Sequence, residues 1–153
     1  MVMVCGVSSF GPILLVEDHP NDTEFLSLAI GDSGVPNHVL VARDGQEALA
    51  LLESNGIEPS LVVIDLKLPG LDGLRLLERI RSRPRLAYIP VVVFTGSILA
   101  DDVAASYDRL ANAYLVKPAD FGRLTAMMKS TVRFWLTRNL YPLSGPRGAV
   151  AEA

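Results

Sequence analysis

Four short apolar runs in this chain close on groups that can do chemistry. Pro12-Ile13-Leu14-Leu15-Val16 ends on Glu17-Asp18, Leu61-Val62-Val63-Ile64 on Asp65, Pro90-Val91-Val92-Val93-Phe94 on Thr95, and Ala113-Tyr114-Leu115-Val116 on Lys117. Each alone is an ordinary loop residue after a strand, but together they define a reaction. Three carboxylates brought together repel one another, and a hard divalent cation with oxygen ligands relieves that repulsion. Mg²⁺ is the natural candidate, because it prefers octahedral geometry at about 2.0–2.1 Å and keeps several waters, leaving a position for a phosphoryl oxygen. Asp65 can then attack phosphorus and become an aspartyl phosphate. The cation and the Lys117 ammonium would neutralise charge on the equatorial oxygens, and Thr95 would donate a hydrogen bond to the product.

For these ends to meet, the runs must be strands of one parallel sheet whose carboxyl ends share an edge. The intervening sequence supplies the crossovers that such a sheet needs. Pro20-Asn21-Asp22 starts a helix carrying Phe25, Leu28 and Ala29, which Gly31, Gly34 and Pro36 break, and His38-Val39-Leu40-Val41-Ala42 reads as a further strand. Asp44 and Glu47 have capping-box spacing ahead of Ala48, Leu49 and Leu52, and Asn55-Gly56 ends that helix. Asp72-Gly73 leads into Leu74, Leu77 and Ile80, where Arg79, Arg81 and Arg83 complement the dipole at the helix end. A fourth helix places Val103, Tyr107, Leu110 and Ala111 on one face. A fifth, from about Ala119 to Arg138, carries a core stripe of Phe121, Leu124, Met128, Val132 and Trp135. Met127 and Phe134 fall on its flank beside Thr131 and Arg138 and predict a partner surface. The alternation predicts an α/β fold: a doubly wound, five-stranded parallel sheet with helices on both faces and right-handed crossovers. Open sheets of this kind bind ligands at the carboxyl ends of their strands.

The length, 153 residues, suits one domain, read here as residues 12–138 after an N-terminal extension (1–11) and before a flexible C-terminal tail (139–153) rich in Pro, Gly and Ala. Half the residues are hydrophobic, yet no run reaches the roughly 18 to 20 apolar residues of a membrane span. A net charge of -3 and a pI near 5.3 argue against nucleic acid as a partner. Cys5 is the only cysteine, so no internal disulfide can form, which fits a cytoplasmic location. No Cys or His cluster has zinc spacing; His19 reads as a loop residue and His38 as structural. No Gly-rich phosphate loop follows the first strand, which weakens a flavin or nucleotide binder. An aspartate-nucleophile phosphatase would resemble a DxD arrangement, whereas position 67 is Lys. A phosphorylation-independent interaction module is the remaining alternative.

The stretches ILLVEDHPND, LVVIDLKLPGLDGL, VVVFTGS and YLVKPAD, in this order, resemble the receiver domains of two-component response regulators. The resemblance implies a flavodoxin-like sheet of order 2-1-3-4-5, a sensor histidine kinase as partner, and a signalling protein rather than an enzyme. It implies Asp65 as phosphoacceptor, Glu17 and Asp18 as the acidic pair serving Mg²⁺, and the carbonyl of Lys67 as another metal ligand. Thr95 and Lys117 would touch the phosphoryl group, Tyr114 would be the aromatic that switches with Thr95, and the Lys117-Pro118 peptide would be cis. Leu68 stands where Met is common, a mild departure. Asp101-Asp102-Val103, Ala105-Ser106-Tyr107, Phe134-Trp135-Leu136 and Tyr141-Pro142 further resemble the single-domain response regulators that accompany phytochrome-type kinases. That likeness implies a homodimer through strand five and helix five, with Met127, Phe134 and Trp135 at the interface.

Overall fold

The structure, a computed structural model, describes residues 4–5, 11–54, 57–139 and 141–142, the first and last pairs by their main chain. Five strands, β1 (Ile13–Val16), β2 (Val39–Ala42), β3 (Leu61–Ile64), β4 (Val91–Thr95) and β5 (Ala113–Val116), form one parallel sheet of order β2-β1-β3-β4-β5. The helices are α1 (Pro20–Gly31), α2 (Gly45–Glu53), α3 (Gly73–Arg81), α4 (Ala100–Asp108) and α5 (Phe121–Thr137). Strands covered on both faces read as unbroken apolar runs, and β1, β3 and β4 are buried at every residue. Successive side chains of a strand point to opposite faces, so the runs feed two cores. Leu14, Val16, Val62, Ile64, Val91 and Val93 pack with α2 and α3; Ile13, Leu15, Leu61, Val63, Val92 and Phe94 pack with α1 and α5.

Local chemistry sets the helix starts. The Asp44 carboxylate accepts the Glu47 N–H at 2.7 Å, and the Glu47 carboxylate takes the N–H of Arg43 at 2.8 Å, one residue before its capping-box target. Asp72 and Asp120 cap α3 and α5 by accepting from Arg75 and Arg123, each at 2.9 Å. The residues expected to end α2, Asn55 and Gly56, lie outside the described residues.

The helix faces differ from expectation in two places. Helix α4 stops at Asp108, and Leu110 turns the chain through a left-handed φ of 67°, so Tyr107 and Leu110 stay exposed instead of facing a core with Val103 and Ala111. The buried residue of α4 is Ser106, whose hydroxyl is satisfied by donating to the Asp102 carbonyl at 2.8 Å. On α5 the core positions are Leu124, Met128, Thr131, Val132 and Leu136. Phe121 is 52% exposed and stacks on Phe25 of α1 at 4.4 Å, and Trp135 is half-buried. Packing against α1 rotates the buried stripe, and Thr131 can join it because its hydroxyl donates to the Met127 carbonyl at 2.7 Å.

Among the described residues no peptide bond is cis, so the Lys117-Pro118 bond expected to be cis is trans. The intrinsic preference of about 0.5–1 kcal/mol for the trans isomer holds there. Val4–Cys5 and Tyr141–Pro142 pair antiparallel and so join the expected extension to the expected tail; the rest of both segments lies outside the described residues. Among the described residues no helix is long and apolar enough to cross a membrane.

Candidate functional site

Each strand that carries a polar terminus hands it to the same edge of the sheet. The parallel ladders continue one residue past the strands: the N–H of Glu17 donates to the Ala42 carbonyl at 3.0 Å, that of Asp65 to Val16 at 3.0 Å, and that of Lys117 to Thr95 at 2.8 Å. Main-chain bonds therefore fix where the three side chains begin. Neighbouring strands lie roughly 4.8 Å apart, which sets Glu17 beside Asp65, while β5 lies two strands from β3, roughly 10 Å away. Only a long side chain bridges that gap over the end of β4. The Lys117 Nζ does so, donating to Asp65 Oδ2 at 2.9 Å, to Asp22 Oδ2 at 3.1 Å and to Glu17 Oε2.

The carboxylates are arranged as the sequence predicts. Glu17, Asp18 and Asp65 each offer one oxygen, and these oxygens lie within 4.8 Å of one another. Glu17 is 2% exposed, and its second oxygen accepts the His19 N–H at 3.1 Å. Burial pushes the Glu17 carboxyl above its ordinary range, against the pull of Lys117 and the His19 N–H. Burial acts to lower the Lys117 pKa, but its hydrogen bonds to Glu17 and Asp65 outweigh this and hold it above the usual range. The ammonium stays charged, and its three N–H donors are all placed on carboxylates. This donor set fits a hard divalent cation: Glu17, Asp18 and Asp65 would hold it, all through oxygen.

The remaining predicted residues divide between the strand ends and α5, whose C-terminal part lies beside the segment before β2. Thr95 is buried at the end of β4, and the Ser97 N–H points at its hydroxyl at 3.5 Å. Tyr114 is turned inward and donates its phenol to the Ser97 carbonyl at 3.0 Å, so the loop after β4 joins the two residues expected to switch together. Lys67 is exposed, and its N–H donates to Asp65 Oδ1 at 3.3 Å. Of the three interface residues, Phe134 is 51% exposed, whereas Met127 and Trp135 pack partly against the core shared by α1 and α5. Phe134 meets the edge of Trp135 at 5.1 Å.

Asp22 is a site residue that sequence reasoning assigned only to the start of α1. Pro20 opens that helix directly after His19, so its first turn leans over the end of β1 and carries Asp22 to Lys117. The signal was present as a carboxylate in the first turn of a helix that follows an acidic strand end.

Residues 13–129 match the response regulator receiver domain. The chain belongs to this family. Response regulator Rcp1 of Synechocystis sp. is 38% identical over 129 residues, covering 81% of this receiver chain and 88% of Rcp1. The crystal structure of the phosphorylated cyanobacterial phytochrome response regulator RcpA superposes with a TM-score of 0.82 at 39% identity, covering 88% of this chain and 99% of RcpA. The Mn²⁺-bound form of Rcp1 gives 0.80 at 36% identity, covering 86% and 99%. The receiver thus resembles one protein seen phosphorylated and another seen with a divalent metal, and its own acidic pocket fits metal-dependent phosphorylation.

Proposed function

We propose that this receiver accepts a phosphoryl group from a sensor histidine kinase on Asp65, in a Mg²⁺-dependent reaction, and signals through its α4, β5 and α5 surface. The observation that carries this reading is the single ammonium of Lys117 bonded at once to Asp65 and Glu17, brought from strands far apart in sequence to the oxygens of a three-carboxylate cluster. Asp65 Oδ attacks phosphorus of the phosphohistidine, the P–N bond breaks, and its electron pair returns to the imidazole, which takes up a proton. When bound, Mg²⁺ would neutralise charge on the phosphoryl oxygens. Lys117 would hold one of those oxygens, and Thr95 would donate its hydroxyl to another. Hydrolysis reverses the state: water attacks phosphorus, the bond to Asp65 breaks, and the carboxylate and orthophosphate separate. The chain acts as a switch and not as an enzyme with an exogenous substrate. The carbonyl of Lys67 serves as a further metal ligand in this reading.

Likeness to RcpA supports a kinase of phytochrome type and hence a light-signalling pathway in the cytoplasm. The outlet is protein contact: α5 and β5 leave Phe134 and Val116 exposed, and we place a homodimer interface there, with Met127 and Trp135 behind it. Nucleic acid is not a partner, given the net charge of -3.

Replacing Asp65 by Asn is expected to abolish acid-stable, base-labile labelling by a phytochrome-type kinase or by acetyl phosphate. Undiminished labelling of that variant would refute the acceptor assignment. Sedimentation as a monomer at high micromolar concentration, with and without beryllofluoride, would remove the dimer.

A further inference from the structure

Both oxygens of each carboxylate facing Lys117 are already engaged at two of its three partners. Asp65 gives Oδ2 to Lys117 and Oδ1 to the Lys67 N–H, and Glu17 gives Oε2 to Lys117 and Oε1 to the His19 N–H. Glu17 and Asp65 are also two of the three residues whose oxygens converge to hold a cation. When they serve the cation and, at Asp65, a phosphoryl group, their bonds to the ammonium must be shared or given up. Asp22 is the third partner, and it stands outside that converging set. It is also held in place independently. Thr23, its neighbour, donates its hydroxyl to the His19 carbonyl at 3.0 Å and reaches the Glu17 carbonyl at 3.4 Å, which pins the first turn of α1 to the end of β1.

We propose that Asp22 is a positioning residue for Lys117: it keeps the ammonium over the acceptor while Glu17 and Asp65 turn to the cation and the phosphoryl group. The inference rests on the reading of Asp65 as phosphoacceptor. Lysine is a point charge on a flexible stem with three rotatable donors. Anchoring one donor on Asp22 leaves the other two free for phosphoryl oxygens. Without that anchor, the Lys117 side chain crosses the end of β4 with nothing beyond the reacting groups to hold it.

This role predicts a sign opposite to that of simple charge. Removing a negative group near an anion-binding site should strengthen anion binding if Asp22 acted only through its field, whereas loss of an anchor should weaken it. The test uses Asp22→Asn, which keeps the shape of the side chain, with Asp22→Glu as the conservative partner. Titration calorimetry reads Mg²⁺ affinity, then beryllofluoride affinity at saturating Mg²⁺. Asp22→Asn is expected to lose roughly five- to tenfold in beryllofluoride affinity, the difference in scale between a charge-assisted hydrogen bond and the neutral one that an asparagine oxygen can still accept, with Mg²⁺ affinity within about threefold. Asp22→Glu is expected to recover part of the loss. In a Lys117→Met background the Asp22→Asn change is expected to have no effect.

A loss below about twofold, a gain in affinity, or an equal loss in the Lys117→Met background would overturn the proposal. Acetyl phosphate labelling of the unaltered chain separates the two layers of argument: if the unaltered chain is labelled on Asp65 while Asp22→Asn binds beryllofluoride normally, the positioning role alone fails. If the unaltered chain takes up neither acetyl phosphate label nor beryllofluoride, the phosphoacceptor reading fails and the positioning role with it.

Discussion

Replacing Gly73 by alanine tests how closely the loop after β3 is built around the acceptor. Gly73 is the first residue of α3, and its N–H donates to the Leu66 carbonyl at 2.9 Å. A Cβ added there would lie 2.3 Å from the Asp65 carbonyl oxygen and 2.7 Å from the Leu66 Cα. Both obstacles are backbone, so no side-chain rotation can relieve them, and either α3 or the segment holding Asp65 must move. Overpacking of this kind costs about 1–3 kcal/mol. At roughly 2–4 °C per kcal/mol for a chain of this size, the melting temperature should fall by roughly 2–12 °C. Because one obstacle belongs to Asp65 itself, Mg²⁺ affinity and acetyl phosphate labelling should fall as well. Gly31→Ala is the control: its Cβ meets nothing within 4 Å, and the substitution should hold or raise stability, by about 0.4–1 kcal/mol at most. Thermal melts and Mg²⁺ titrations of both variants decide the matter. A Gly73→Ala protein that melts within about 1 °C of the parent and binds Mg²⁺ unchanged would show that the loop has slack and the reasoning is wrong.

Other perturbations separate stability from chemistry. Met128 is fully buried between α5 and the sheet, so Met128→Ala should cost about 2–5 kcal/mol in urea unfolding while acetyl phosphate labelling at low temperature persists. Arg81 donates to the carbonyls of Ile89 at 2.7 Å, Leu110 at 3.0 Å and Ala87 at 3.1 Å and to Asn112 Oδ1 at 2.7 Å; Arg81→Ala should lose about 2–3 kcal/mol, and Arg81→Lys should recover less than half because an ammonium cannot fork. Mg²⁺ at a hundredfold its dissociation constant should stabilise the fold by about 2.7 kcal/mol, seen as a higher melting temperature that EDTA reverses and Asp18→Asn largely removes.

The strand ends were legible because each combines an unbroken apolar run with one polar terminator, a pattern that burial on both faces forces in β1, β3 and β4. Asp44 with Glu47 was legible for a local reason, since a cap involves residues three apart and little else. What escaped depends on neighbours distant in sequence. Asp22 reads as a helix-start residue until the first turn of α1 is seen leaning over β1. Phe121 fits the apolar period of α5, yet α1 offers it Phe25 at the rim instead of a place in the core, and Leu136 is buried in the stripe. Helix α4 sits at the border of the sheet, so its apolar spacing does not correspond to a buried face and Tyr107 remains outside. The trans Lys117-Pro118 bond could not be read from spacing at all.

The spacing of the reactive groups is set by main-chain hydrogen bonds of the sheet, one residue beyond the last rung of each ladder. The chemistry thus has a gauge independent of what the helices display to solvent. Outward positions on α4 and α5, among them Ala104, Tyr107, Ala126, Ser130 and Phe134, can be rewritten for a new listener while the main-chain spacing of Lys117 and Asp65 stays as the sheet dictates. For protein engineers, that makes the outward face of α4 and α5 a replaceable part on a fixed bench.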